Sequence, residues 1–160
     1  MIATRESRTV KVSAAQQRFI DELAHMYARY GVSMTFGRLF GLLLVSERPL
    51  GLDDITELLN ISKSGASVAA RELERAGVVR RLATPGSRRI VYQASEDMEP
   101  MFTAQFARIR DALGVVAKGE SILPPGPARQ RMRQMKDLHE FWLQESATIL
   151  ERWRRRRQSK

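Results

Sequence analysis

The sequence predicts a mainly α-helical fold that carries one small β-hairpin, and three observations lead to this prediction. Apolar residues recur at helical spacing in six segments of the 160-residue chain. Between residues 78 and 93 the period changes to two on either side of a Thr-Pro-Gly-Ser cluster, which indicates two strands and a turn. The sequence holds no cysteine, so disulfides and thiolate zinc sites contribute nothing to its stability.

Two amphipathic helices are expected first. Ser13 is the predicted N-cap of the first helix, and Gly31 follows its C-terminal end. The second helix opens at Ser33, and its Gly37 and Gly41 lie four residues apart on one face. Because no strand precedes these glycines, they indicate a close crossing of two helices and not a phosphate-binding loop.

The next segment has the pattern of a helix-turn-helix. A short helix capped by Asp53 or Asp54 is followed by a turn at residues 60–62 and by a helix over residues 63–76. An apolar residue, Ile61, occupies the turn, as this motif requires. Since the predicted hairpin comes directly afterwards, we expect a winged helix-turn-helix, with the hairpin as its wing.

The remaining sequence predicts two long helices. One covers residues 98–118, a break covers 119–127, and the last runs from Ala128 into a terminal arginine run. Some 30 residues span about 45 Å, whereas a compact domain of this size spans roughly 40 Å. We therefore expect a second copy of the chain to cover the apolar stripe of the last helix. The candidate dimerisation residues are Met135, Leu138, Trp142, Ile149 and Trp153.

These elements define three expected regions. They are a basic N-terminal arm over residues 1–12, a winged helix-turn-helix domain with its leading helix over 13–96, and a C-terminal helical dimerisation region over 97–158. The longest apolar run is too short to cross a membrane, and the first residues lack the apolar stretch of a signal peptide. We therefore expect a cytoplasmic protein without a membrane partner.

Positive charge is concentrated in two places. The formal net charge is +9, and arginine dominates the basic residues. Residues 62–93 carry a net +5 and residues 127–160 a net +6, while residues 31–61 and 94–126 each carry −2. A polyanionic ligand would be drawn to the two basic segments.

The helix after the turn has a face suited to the DNA major groove. Small hydroxyl side chains, a valine and an arginine point away from its alanine-rich face and fit a groove about 12 Å wide. Ser62 and Lys63 would hold phosphates, Arg71 could pair with guanine, and wing arginines would reach the backbone and minor groove. The candidate DNA-binding residues are Ser62, Lys63, Ser64, Ser67, Val68, Arg71, Arg75, Arg88 and Arg89. The same pattern also fits an amphipathic helix with a solvated basic face.

Residues 31–97 also resemble the MarR superfamily of winged-helix regulators, most closely its GbsR-type branch. The resemblance rests on FGRLFGLLL at 36–44, LDDI at 52–55, ISKS at 61–64, RELE at 71–74, GVVRR at 77–81 and PGSRR at 85–89. It implies a dimeric bacterial transcription regulator. The DNA contacts that it implies are Ser64, Ser67, Arg71 and, in the wing, Arg89. Many wings of this family carry an acidic residue two positions before that arginine, whereas Ser87 stands here, so that carboxylate brace is missing.

The resemblance also implies a small-molecule effector, bound between the DNA-binding and dimer regions. The GbsR-type branch points to quaternary-ammonium ligands, which an aromatic cage would suit. The candidate pocket residues are Tyr27, Tyr30, Phe36, Phe40 and Phe106. Aromatic residues at helical spacing equally fit a hydrophobic core.

Together these observations predict a sequence-specific double-stranded DNA-binding transcriptional regulator, a repressor that acts as a homodimer on a near-palindromic operator. The alternative is a protein-interaction or membrane-surface module that uses the long basic C-terminal helix and has a degenerate helix-turn-helix. Neither histidine has a partner at a recognisable metal or catalytic spacing, and no glycine-rich phosphate loop is present. We therefore expect no enzymatic reaction, no metal and no cofactor.

Overall fold

The computed structural model describes residues 11–83 and 89–159, which belong to two compact units, Met1–Asp97 and Met98–Lys160. The first unit contains α1 (Ala14–Arg29), α2 (Met34–Val45), β1 (Leu50–Gly51), α3 (Leu52–Leu59), α4 (Lys63–Arg75), β2 (Val79–Ala83) and β3 (Ile90–Ala94). The second contains α5 (Glu99–Ile122) and α6 (Pro127–Gln158). The predicted fold class, mainly helical with a small antiparallel sheet, is confirmed. Most of the predicted N-terminal arm, the turn at 84–87 and Arg88 lie outside the described residues.

Helices α1 and α2 cross at the two predicted glycines. A Cβ atom on Gly37 would lie 2.5 Å from the Cα of Ala24, and one on Gly41 would lie 3.1 Å from the Cα of Ile20. The contact at Gly37 is closer than any side chain tolerates, and the contact at Gly41 is tighter than most Cβ atoms make, so the glycines allow the two backbones to approach closely. The prediction of a close helix crossing is confirmed.

The helix-turn-helix forms as expected, with one correction at its start. Helix α3 has Gly51 as its N-cap, and the Asp54 carboxylate accepts a hydrogen bond from the Gly51 N–H at 2.9 Å. The prediction that Asp53 or Asp54 is itself the cap is wrong, because both lie inside the first turn, where a carboxylate also favours the helix dipole. Asn60 ends α3 in the left-handed region, and Ser62 caps α4 by accepting from the Gly65 N–H at 3.1 Å.

The wing belongs to a three-stranded antiparallel sheet with the order β1-β3-β2. Strands β2 and β3 form the predicted hairpin, with Val79 opposite Ala94. Strand β1 was not predicted, because two residues are too few to show a period; it pairs Leu50 with Tyr92. The sheet therefore ties the base of the wing to the residues that immediately precede α3.

One hydrophobic core holds the first unit together. The inward face predicted for α4 is confirmed: Ala66, Ala69, Ala70 and Leu73 are all buried. The fully buried large side chains of this unit are Ile20, Leu39, Leu42, Leu43, Leu50, Ile55, Leu59, Leu73 and Val78. Because these residues come from α1, α2, α3, α4 and β1, the core fixes the rotation of α4 about its own axis.

The second unit is a helical hairpin. Helix α5 runs to Ile122, so the predicted break at residues 119–127 is wrong over its first four residues. Gly119 stays helical because α6 packs on it: a Cβ there would lie 3.6 Å from the Met132 sulfur, and such packing outweighs the low helix propensity of glycine. The buried Glu120 carboxylate on α5 pairs with Arg133 at 2.9 Å and with Lys136 at 3.0 Å.

Helix α6 is continuous over 32 residues and therefore about 48 Å long. Arg154, near its end, pairs with Glu99 at the start of α5, which closes the far end of the hairpin. Within the described ranges no helix combines the length and apolarity needed to cross a bilayer.

Candidate nucleic-acid interface

The outer face of α4 carries the side chains predicted to read DNA. Ser62, Lys63, Ser64, Val68, Arg71 and Arg75 are exposed, and Ser67 is half-buried. Val68 is 47% exposed, which is unusual for a valine in a packed helix and leaves a small apolar surface among polar ones. The side chains along this face are mostly short, so nothing on it would prevent α4 from lying against a groove floor.

The N-terminus of α4 is held by a hydroxyl and an ion pair. The Ser62 hydroxyl caps the helix and lies 3.1 Å from the Ser64 hydroxyl. The Lys63 ammonium donates to the Asp53 carboxylate at 2.7 Å, and this bond lowers the pKa of Asp53 below its ordinary value. Both partners are largely exposed, so the pair contributes little to stability and can exchange for a phosphate.

The described part of the wing presents three arginines. Arg80 and Arg81 lie exposed on β2, and Arg89 lies just before β3. The Arg89 guanidinium donates to the Asp54 carboxylate at 3.0 Å. The predicted Arg88 lies outside the described residues, so the structure places only one of the two predicted wing arginines.

The sequence reasoning missed the two carboxylates that hold these cations. Asp53 and Asp54 were interpreted only as helix caps, whereas each contacts a predicted DNA-binding residue: Lys63 of α4 or Arg89 of the wing. Ser87, where the brace was expected to be missing, lies outside the described residues, and Asp54 of α3 supplies a different carboxylate that contacts Arg89. Two adjacent acids opposite a basic segment were the available signal, although spacing alone does not reveal such long-range partners.

Four of the predicted effector residues lie in the first unit and one lies in the second. In the first unit the Tyr27 ring contacts Phe36 and Phe40 edge-on, at centroid distances of 5.7 and 6.2 Å. Burial raises the pKa of the Tyr27 hydroxyl. Tyr30 is 78% exposed, and Phe106 belongs to the second unit, where its ring contacts Trp142 at 5.6 Å. Among the described residues no group of three metal-ligating side chains converges.

All five predicted dimerisation residues are exposed on α6. Their exposed fractions run from 41% at Trp142 to 64% at Leu138. Phe141 is also 60% exposed, although it was not predicted. Ser146 and Leu150 are the buried residues of this helix; of the predicted dimerisation residues, Trp142 also contacts Phe106 of α5.

Comparisons with known proteins agree on one family. The model of the MarR family matches residues 30–90, and a model described as MmpR5-like MarR family transcriptional regulator matches residues 97–156. These two segments cover the helix-turn-helix with most of its wing and nearly all of the helical hairpin.

Three relatives from Bacillus subtilis (strain 168) match the chain over similar lengths. YvaV is 25% identical over 96 residues, which are 60% of this chain and 54% of YvaV. The HTH-type transcriptional repressor OpcR is 25% identical over 96 residues, 60% of this chain and 52% of OpcR. The HTH-type transcriptional repressor GbsR is 27% identical over 95 residues, 59% of this chain and 52% of GbsR. The matches thus span about half the length of these curated relatives.

A solved structure shares the fold. The structure titled "Crystal Structure of a transcriptional regulator" aligns with a TM-score of 0.76 at 24% identity, covering 88% of this chain and 99% of its own. The two family models, the relatives and this shared fold confirm the resemblance found in the motifs of residues 31–97. Over residues 30–90 and 97–156 the chain is thus similar to the MarR family, and it has the winged helix-turn-helix fold.

Proposed function

We propose that this protein is a sequence-specific double-stranded DNA-binding transcriptional regulator, a repressor that acts as a homodimer. One observation carries the proposal: the outer face of α4 is fixed in rotation by a fully buried inner face and presents exposed hydroxyls and Arg71 beside a wing of arginines. OpcR and GbsR are named as HTH-type transcriptional repressors, which supports the repressor assignment.

In the proposed complex, α4 lies in the major groove. Ser64, Ser67 and Arg71 face the base edges, and Arg71 pairs with a guanine through two hydrogen bonds. Ser62 and Lys63 at the start of the helix contact phosphates, for which Lys63 exchanges its bond to Asp53. Arg89 contacts the DNA through the wing, at the backbone or in the minor groove.

The homodimer is proposed from the surface of α6. Side chains such as Leu138, Phe141 and Ile149 are each about 60% exposed or more in the single chain. Several large apolar side chains exposed on one helix mark an association site, and two-fold pairing of identical chains is the commonest way to cover them. Two copies of α4 would then read a near-palindromic operator.

The effector remains a prediction of the family resemblance. Tyr27, Phe36 and Phe40 already contact one another in the first unit, so in this conformation these rings serve as core packing. Because bacterial chromosomes lie in the cytoplasm, the proposed location of a regulator of bacterial genes is the cytoplasm. No enzymatic reaction, cofactor or membrane partner enters the proposal.

The proposal is tested by selecting binding sites from random duplexes and then measuring affinity for the selected site. We expect half-sites about 10 base pairs apart, or a multiple of that. Between 50 and 200 mM salt, affinity should fall by about 10³ to 10⁵ for a dimer that contacts six to ten phosphates. Arg71→Ala should cost about 1–3 kcal/mol of discrimination at one base position.

Arg18→Ala is the matched control, because it removes the same charge from an exposed position on α1. It should leave the base preference unchanged. A flat salt response, or unchanged nucleic-acid affinity in both Arg71→Ala and Arg89→Ala, would reject the proposal in favour of an interaction module built on α6.

A further inference from the structure

The sheet places the wing arginine next to the first turn of α3. Strand β1 pairs with β3, with Gly51 opposite Val91. Arg89 stands two residues before Val91, and Asp54 stands three residues after Gly51. The register therefore brings the start of β3 and the first turn of α3 together, although Asp54 and Arg89 are 35 positions apart in the chain.

Contacts outside the wing also hold the Asp54 carboxylate. One oxygen, Oδ2, accepts from the backbone N–H of Gly51 at 2.9 Å and from the Arg89 guanidinium at 3.0 Å. Arg48 lies 3.7 Å from the same oxygen. The Asp54 side chain is only 25% exposed, and its bond to the Gly51 N–H anchors it at the start of α3.

Glycine at position 51 makes room for the guanidinium. A Cβ atom on Gly51 would lie 3.1 Å from both Nε and Nη2 of Arg89. The Nε–Nη2 edge of the arginine head therefore faces Gly51, and Nη2 also donates to the Asp54 carboxylate. Two contacts, one steric and one ionic, limit where this side chain points.

Asp53 is the natural contrast. It neighbours Asp54 and carries the same charge, but its side chain is 82% exposed and its partner is Lys63 on α4. Among the described residues it makes no ion pair with the wing, although the charge of Arg89 adds to the effect of Lys63 in lowering its pKa. Its partner Lys63 is a cation that the proposed function assigns to a phosphate. Near DNA its charge opposes binding.

We infer that Asp54 is a positioning residue for Arg89, so that a carboxylate of α3 strengthens the binding of polyanionic DNA. The inference rests on the proposed function. It reverses what charge alone predicts, because neutralising an acid beside a DNA-binding surface ordinarily tightens binding. Without Asp54 the wing arginine loses its preferred direction, and ordering it on DNA becomes part of the cost of binding.

The experiment compares four variants with the wild-type full chain on its selected duplex: Asp54→Asn, Asp53→Asn, Arg89→Gln and the double variant with Asp54→Asn and Arg89→Gln. Asparagine can still accept the Gly51 N–H bond, so α3 keeps its start and the variant should fold. Thermal unfolding of each free protein checks this. Affinity is measured by fluorescence anisotropy at several salt concentrations.

Asp54→Asn should weaken binding, and Asp53→Asn should leave it equal or tighter. A partly exposed ion pair shifts an equilibrium by about two- to fivefold, so two wings on one duplex predict a loss of about four- to twenty-five-fold. The slope of log K against log salt should become shallower by about one contact per protomer in Asp54→Asn and Arg89→Gln, but not in Asp53→Asn. Adding Asp54→Asn to Arg89→Gln should cost nothing further.

Two results overturn the inference while leaving the proposed function intact. One is an Asp54→Asn protein that binds as tightly as Asp53→Asn or more tightly. The other is an equal loss from Asp54→Asn with and without Arg89, which would mean that Asp54 acts through something else. A wild-type protein without salt-dependent DNA binding rejects the proposed function, and the inference with it.

Discussion

Replacing Gly37 by alanine tests the helix crossing on which the first unit depends. The new Cβ would lie 2.5 Å from the Cα of Ala24, whereas ordinary contacts begin at 3.4 Å, so α1 and α2 must separate by nearly 1 Å. The clash is with backbone, which has no rotamer to change. Overpacking of a core costs typically about 1–3 kcal/mol, and a backbone clash belongs at the upper end of that range.

The higher helix propensity of alanine offsets part of this cost. Alanine is more favourable than glycine inside a helix by about 1 kcal/mol. The net expectation for Gly37→Ala is therefore a loss of about 2 kcal/mol in the free energy of unfolding. For a unit of this size that lowers the melting temperature by about 8–16 °C.

Thermal and urea unfolding followed by circular dichroism measure the effect. Gly41→Ala should lose less, because its Cβ would lie 3.1 Å from the Cα of Ile20 and needs only a few tenths of an ångström. Gly114→Ala on α5 is the control: nothing lies within 4 Å of a Cβ there, so the substitution should be neutral or stabilising. A Gly37→Ala protein as stable as the wild type would refute the reasoning from the close approach.

Two further predictions concern the second unit. Lys136 and Arg133 lower the pKa of Glu120, so these ion pairs stabilise the fold fully above the ordinary carboxyl pKa of 4.5, and the stabilisation is lost as the pH falls below that value. Glu120→Gln should flatten this part of the pH profile of unfolding, and an unchanged profile would count against the ion pairs. Leu138→Glu on the exposed face of α6 should weaken the proposed dimer about tenfold or more, because the interface would have to bury an unpaired charge. Sedimentation equilibrium measures this, with Gln144→Glu, an exposed position on the same helix, as the control; equal dissociation constants would place the interface elsewhere.

Periodicity predicted the elements that depend on local burial. The spacing of Ala66, Ala69, Ala70 and Leu73 gave the inward face of α4, and the paired glycines of α2 gave its crossing with α1. These features follow from small or apolar residues that recur at a fixed interval, and such a repeat is visible in the sequence itself.

Features that depend on distant partners were not predictable in this way. Strand β1 is too short to have a period and exists because β3 pairs with it. Gly119 stays helical because α6 packs against it. The contact of Asp54 with Arg89 joins positions 35 residues apart, and nothing in their spacing distinguishes it from any other acid and base.

The two-residue strand β1 also bears on the order in which the first unit folds. Its pairing of Leu50 with Tyr92 closes a loop of about 40 residues, which contains α3 and α4, and such long closures are entropically costly. Contacts within the helices are local, so we expect them to form before this pairing does. Before this pairing forms, the chain has its helices, but the hairpin of β2 and β3 that carries the arginines is not attached to β1. The proposed binding of a duplex would then require a molecule whose sheet is complete.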